Sequence, residues 1–173
     1  MNTELAGVKQ MALTTAQVCS IAGVARQTLE YWSGVRKLCG ATLLPRAGKR
    51  YPRYWSLDDL VLVRSIKALR DAGCSLQKVA RVKELLEEQW TRGAGARFLY
   101  WDGSDISLVD DEGAVTALLL RPGQLQIGAV VSAVVLPLEA WRVDATHIAK
   151  PMDIVAIRAK RDARKLAAVA AAG

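Results

Sequence analysis

The chain has 173 residues, with 24 Lys and Arg against 17 Asp and Glu, 51% apolar residues and 24% charged ones. That leaves room for one medium or two small domains and for a real core, and it excludes a charge-dominated disordered chain. The longest apolar run, 127–138, is too short to span a bilayer and Pro137 interrupts it, so no membrane association is expected.

Charge is uneven along the chain. Residues 1–92 carry fifteen Lys and Arg against eight acids, residues 93–153 four against eight, and residues 154–173 five against one. A basic front, acidic middle and basic tail suggest a polyanion partner for the front, although a solvated basic surface gives the same arithmetic. Cys19, Cys39 and Cys74 are odd in number and far apart, which fits neither a CxxC metal motif nor a disulfide framework. Residues 1–10 lack a signal-peptide pattern, so a cytoplasmic protein with reduced thiols is expected.

Residues 1–12 show no period and read as a flexible arm. Thr14-Thr15-Ala16-Gln17 is a capping box, a hydroxyl at the N-cap and an amide three residues later, and the helix it opens should run to Ala22 before Gly23. A second helix is expected from Ala25 to about Ser33. Two short helices around a glycine turn make a helix-turn-helix pattern. From 34 to 55 the period vanishes among Gly34, Gly40, Pro45, Gly48 and Pro52, and the cations there have no acid beside them, as in a hairpin with a basic loop.

Ser56-Leu57-Asp58-Asp59 starts another helix, with Leu62, Ile66 and Leu69 inward and a stop at Gly73. Ser75 should cap the next, with Val79, Val82, Leu86 and Trp90 as its apolar stripe, ended by Gly93 and Gly95. Thereafter 97–101, 106–109 and 115–120 read as short strands separated by Asp102-Gly103 and 110–113, and Pro122-Gly123 is a further turn. The apolar stretch 124–135 fits a strand or a buried helix equally. A basic, alanine-rich helix should begin near Asp153.

The order and spacing of these pieces resemble the DNA-binding domain of the MerR family. The resemblance rests on the first helix and turn over 14–24, on Thr28-Leu29-Glu30-Tyr31-Trp32, on Leu43-Leu44-Pro45, on Arg53-Tyr54-Trp55-Ser56, and on the Leu60 to Leu76 pattern with Ile66, Leu69, Gly73 and Ser75. Three features depart from it. Glu30 stands where the family usually has Arg, Ala25 replaces a side-chain N-cap, and the long dimerisation helix expected after residue 90 is interrupted by glycines.

Together with the patterning after residue 93, this gives an α+β chain. Its parts would be a mainly α winged helix-turn-helix over 13–92, a small β-rich α+β domain over 96–150 for effector sensing or oligomerisation, and a basic helical tail over 151–173. Its recognition helix would enter the major groove with Arg26, Gln27, Thr28 and Tyr31, since Arg pairs with guanine, Gln with adenine and a Thr methyl with thymine. Leu29 and Trp32 are read as core. Arg36, Lys37, Arg46, Lys49, Arg50 and Arg53 would meet backbone phosphates or a minor groove.

Expected partners are double-stranded DNA, a second copy in a homodimer, and a small effector or second protein at 96–150. No metal or other cofactor is expected: the cysteines precede the region where the family's soft-metal sensors carry theirs, and His147 is the single histidine. No phosphate loop or nucleophile elbow marks an enzyme, and Asp110-Asp111-Glu112 beside Gly113 reads as a turn tip. A transcriptional regulator is the first reading. An excisionase-like architectural factor or a toxin-neutralising autoregulator remains the alternative.

Overall fold

Thr14 closes a strand and opens a helix. The computed structural model describes residues 9–45, 52–91, 98–101, 106–109, 115–118 and 134–170. Strand β1 (Gln10–Thr14) passes directly into α1 (Thr15–Ala22) through the capping box: Gln17 N–H donates to the Thr14 hydroxyl at 3.3 Å, and Thr14 N–H donates to Gln17 Oε1 at 2.8 Å. Gly23, at φ +63°, ends α1 in the left-handed region, and Val24 N–H reaches the Cys19 carbonyl at 3.0 Å. This is the closure that favours glycine, because a Cβ would crowd the following carbonyl.

The second helix differs from expectation. An α-helical turn, α2 (Arg26–Glu30), widens into a π-turn at Tyr31–Val35. The π-turn ends at Lys37, a non-glycine residue at φ +54°, after which Leu38 N–H bonds the Trp32 carbonyl at 2.9 Å. The anticipated hairpin is narrower than 34–55: Leu44 and Tyr54 form a reciprocal antiparallel bridge, and β2 (Tyr54–Trp55) pairs with β1 in the register Leu13↔Trp55.

Ser56 caps α3 (Leu57–Asp71) in a second capping box with Asp59, and Gly73 stops it at φ +92°. Ser75 accepts from Lys78 N–H at 3.3 Å at the start of α4 (Leu76–Thr91), which buries Val79, Val82 and Leu86 on one stripe. Strands β3 (Phe98–Trp101), β4 (Ile106–Val109), β5 (Val115–Leu118) and β6 (Val134–Pro137) form an antiparallel sheet in the order β5-β4-β3-β6. Alternation along β4 buries Ile106 and Leu108 and half-exposes Ser107 and Val109, as a two-residue period requires. Of the ambiguous apolar stretch, only 134–135 is described, and it is strand. The turns anticipated at 102–103, 110–113 and 122–123 lie outside the described residues.

Two boundaries move. Residues 10–12, expected within a loose arm, are strand. The region from 151, expected as a separate tail, begins inside the same sheet: β7 (Lys150–Met152) pairs antiparallel with β1, Gln10 opposite Met152 and Ala12 opposite Lys150. The sheet order β2-β1-β7 therefore joins the two ends of the chain. Between β6 and β7, α5 (Leu138–Thr146) packs on α3, and the basic helix α6 (Ile154–Ala170) follows. One hydrophobic cluster runs from Leu13, Trp55 and Ile66 through Leu99 and Leu108 to Leu138 and Ala149. The first and second halves share a core, because β6 and α5 bury Leu136, Leu138 and Ala145 in the same cluster as α3.

Candidate nucleic-acid interface

The interface is organised by what lies beneath α2. Leu29 is fully buried and Trp32 is 5% exposed, so these two pin the helix to the core. That leaves Arg26 and Gln27 exposed, Thr28 half-buried at the edge and Tyr31 39% exposed on the outer side. The helical period sets position 27 opposite the buried pair 29 and 32, with 26 and 31 at the sides. Ala25 supplies no side-chain cap to the first turn.

Glu30 lies between the two faces and forms an ion pair with Arg53. The Arg53 side chain is only 9% exposed, its guanidinium lies 5.6 Å from the Trp55 ring centroid, and it also reaches the Ser33 hydroxyl at 3.4 Å. Trp55 is fully buried, with its indole N–H donating to the Thr15 hydroxyl at 3.1 Å. A chain of contacts thus runs from the helix through Arg53 and Trp55 to α1. Arg53, expected on the wing as a phosphate contact, is instead turned inward against α2. Its charge is also matched: Glu30 is the one acid in residues 5–57, which hold eight Lys and Arg.

The turn beyond α2 carries the next two expected contacts, both exposed. Arg36 folds back so that its Nε donates to the Tyr31 hydroxyl and its guanidinium lies 5.4 Å from the Tyr31 ring centroid. The π-turn makes this possible by placing residues five apart on one side. Lys37 follows in its left-handed conformation. Arg46, Lys49 and Arg50 lie outside the described residues. The loop holding them is closed at its base by Leu44 and Tyr54.

Asp59 holds the linker between the π-turn and the wing. It is 5% exposed, and its Oδ2 accepts from Ser56 N–H at 2.8 Å, Thr42 N–H at 2.9 Å and the Thr42 hydroxyl at 3.0 Å. Burial pushes its carboxyl above the ordinary carboxylate range, and the hydrogen bonds from Thr42 and Ser56 oppose the rise.

Contacts from the far end of the chain were not foreseen. Arg142 on α5 pairs with Asp58 on α3, and Arg64 on α3 lies 4.3 Å from the Trp141 ring centroid. Gln17 Nε2 donates to the Ile148 carbonyl at 3.3 Å. Sequence periodicity marks which face of a helix is apolar but not which helix covers it, so no local signal announced these pairs.

The cysteines sit in the same framework. Burial pushes the Cys39 thiol up to about 12 and raises those of Cys19 and Cys74, which keeps them protonated at neutral pH. Among the described residues, no three His, Cys, Asp or Glu side chains gather into a group able to hold a metal ion, and no helix is long and apolar enough to cross a membrane.

A capped helix and a short second helix about a glycine turn, a loop bridged at its base and a further helix pair define a winged helix-turn-helix. Residues 13–86 match the family model described as MerR HTH family regulatory protein, and this segment is a MerR-type helix-turn-helix domain. The chain is also 28% identical over 156 residues to uncharacterized HTH-type transcriptional regulators of Mycobacterium bovis and of two Mycobacterium tuberculosis strains, covering 86% of this chain and 68% of each relative. An alignment of 156 residues extends well past the helix-turn-helix, so the likeness includes the part of the chain that packs on it.

Proposed function

We propose that the chain is a sequence-specific double-stranded DNA-binding transcriptional regulator, with α2 in the major groove. The observation that carries this reading is the split of α2, in which Leu29 and Trp32 are anchored in the core while Arg26, Gln27 and Tyr31 are turned outward. Arg26, Gln27 and the Thr28 methyl read base edges, and Tyr31, held against Arg36, reaches a phosphate. Arg36, Lys37, Arg46, Lys49 and Arg50 neutralise the backbone or enter a minor groove, and Arg53 positions the helix from behind.

A homodimer suits such a reader, because two-fold symmetry matches pseudo-palindromic sites, and sedimentation of the full chain checks it. Residues 96–150 are the place for an effector or a second protein. The residue-level test is a site selection from random duplexes followed by two substitutions. Gln27→Ala should cost about 1–3 kcal/mol on the selected site only, and Arg50→Ala should weaken all sequences alike. Equal weakening of random DNA by both would remove Gln27 from the base readers and misplace the recognition helix.

A further inference from the structure

Helix α6 is tied to the base of the wing. Arg158 donates to the Leu43 carbonyl at 2.9 Å and Arg161 to the Pro45 carbonyl at 3.2 Å, so the two arginines flank Leu44, the residue bridged to Tyr54. The start of the helix is fixed as well. Asp153 Oδ1 accepts from Ala156 N–H at 2.9 Å, Ile154 is buried, and the preceding β7 is hydrogen-bonded to β1.

At about 100° per residue, Arg158, Arg161, Arg164 and Lys160 occupy one continuous arc of roughly 160° around α6. One half of that arc, Arg158 and Arg161, is bonded to the wing base. The other half, Lys160 and Arg164, is one turn apart and exposed, and neither has an ion-pair partner among the described residues. The single acid of the helix, Asp162, lies on the far side of Arg158 and pairs with Arg161 and Lys165. The exposed apolar residues Val155, Leu166 and Val169 also fall outside the cationic arc. Two exposed cations a turn apart, on a helix bonded to the base of the wing, fit a run of phosphates.

Resting on the DNA-binding reading above, we propose that α6 is a third DNA-contacting element, laying Lys160 and Arg164 on the phosphate backbone that flanks the wing. The contact carries no base information, so it lengthens the footprint and steepens the salt dependence without altering sequence preference.

The test uses the full chain and a fluorescent random-sequence duplex, titrated over a salt series. Lys160→Ala/Arg164→Ala should keep the helical content, because alanine favours a helix at least as well, and should reduce the magnitude of the log–log salt slope by about 1.8. Lys160→Glu/Arg164→Glu should lower affinity further. Sedimentation of all three proteins should be the same. A slope unchanged by either double substitution, with the unsubstituted chain binding normally, overturns the assignment to α6 alone. So does an unchanged slope with altered sedimentation, which would make this face a contact between copies. Salt-independent binding, or none, by the unsubstituted chain overturns the DNA-binding reading and this one with it.

Discussion

Glu30 on α2 holds Arg53 at the start of β2, and Arg53 in turn lies over the ring of the buried Trp55. Where the resemblance led to the expectation of an Arg, this chain places an acid toward its own framework. Removing one partner leaves a nearly buried guanidinium without its counter-ion, which costs more than losing an exposed pair. Glu30→Ala should therefore destabilise the fold by about 1–2 kcal/mol, and a double-mutant cycle with Arg53→Ala should show positive coupling. Glu30→Arg, which sets two cations together, should be worse than Glu30→Ala in thermal denaturation. A Glu30→Arg chain as stable as the original, with tighter DNA binding, would return this position to the recognition surface.

Asp59 gives a prediction with a definite sign. Its carboxyl is raised by burial, so the folded state holds a proton that the unfolded state has already released. The stability contributed by the protonated form is fully present below the unfolded value and is lost as pH rises through the folded one. Asp59→Asn keeps an acceptor oxygen for Ser56 and Thr42 and removes the charge. It should flatten this acid-side change and leave stability at neutral pH equal or higher. Asp59→Ala leaves three part-buried donors, Ser56 N–H, Thr42 N–H and the Thr42 hydroxyl, without this acceptor and should lose about 1–3 kcal/mol. Chemical denaturation of the three proteins across acid and neutral pH measures both effects.

The helix starts and stops were legible because their causes are local. Thr14 with Gln17, Ser56 with Asp59, Gly23 and Gly73 each act within five residues, and all four are found as read. The inward pair Leu29 and Trp32 was legible through the helical period, whereas the outward set on α2 followed from the family resemblance. Pairings across long chain separations were not. Nothing near Gln10 announces that Lys150–Met152 will lie beside it, and Arg53 looks like any wing cation until Glu30 is seen against it. The π-turn at Tyr31–Val35 was also missed, since Gly34 reads equally as a helix stop.

Lys37 should show stability and affinity moving in opposite directions. At φ +54° it holds a conformation that costs a side chain energy and that glycine adopts without penalty. Lys37→Gly should stabilise the fold by up to about 1 kcal/mol, the relief being partly offset by glycine's greater freedom when unfolded. The same substitution removes a proposed phosphate contact, so the salt slope should fall by about 0.9. Thermal denaturation and a salt-series titration separate the two. A destabilised Lys37→Gly chain would show that the lysine stem packs usefully, and an unchanged slope would remove Lys37 from the interface.

The joined ends of the chain predict that the helix-turn-helix is not an autonomous module at full stability. A chain cut after Trp90 loses the strand opposite Gln10, Met11 and Ala12. It also loses the Trp141 ring beside Arg64 and the Arg142 partner of Asp58. Apolar surface on α3 that α5 covers would meet water at about 25 cal/mol per Å². Each lost strand bond and ion pair is small, but together they exceed what a small domain can spare from a total of about 5–15 kcal/mol. The truncated chain should melt well below the full one. Adding residues 134–170 back as a separate peptide should raise its midpoint in a concentration-dependent way, because a segment that binds only the folded form stabilises it. In the full chain, circular dichroism at a helix wavelength and Trp fluorescence should report one coincident transition. Two separate transitions, with the first half melting at the same temperature whether or not residues 91–173 are present, would show that the shared core does not couple the halves.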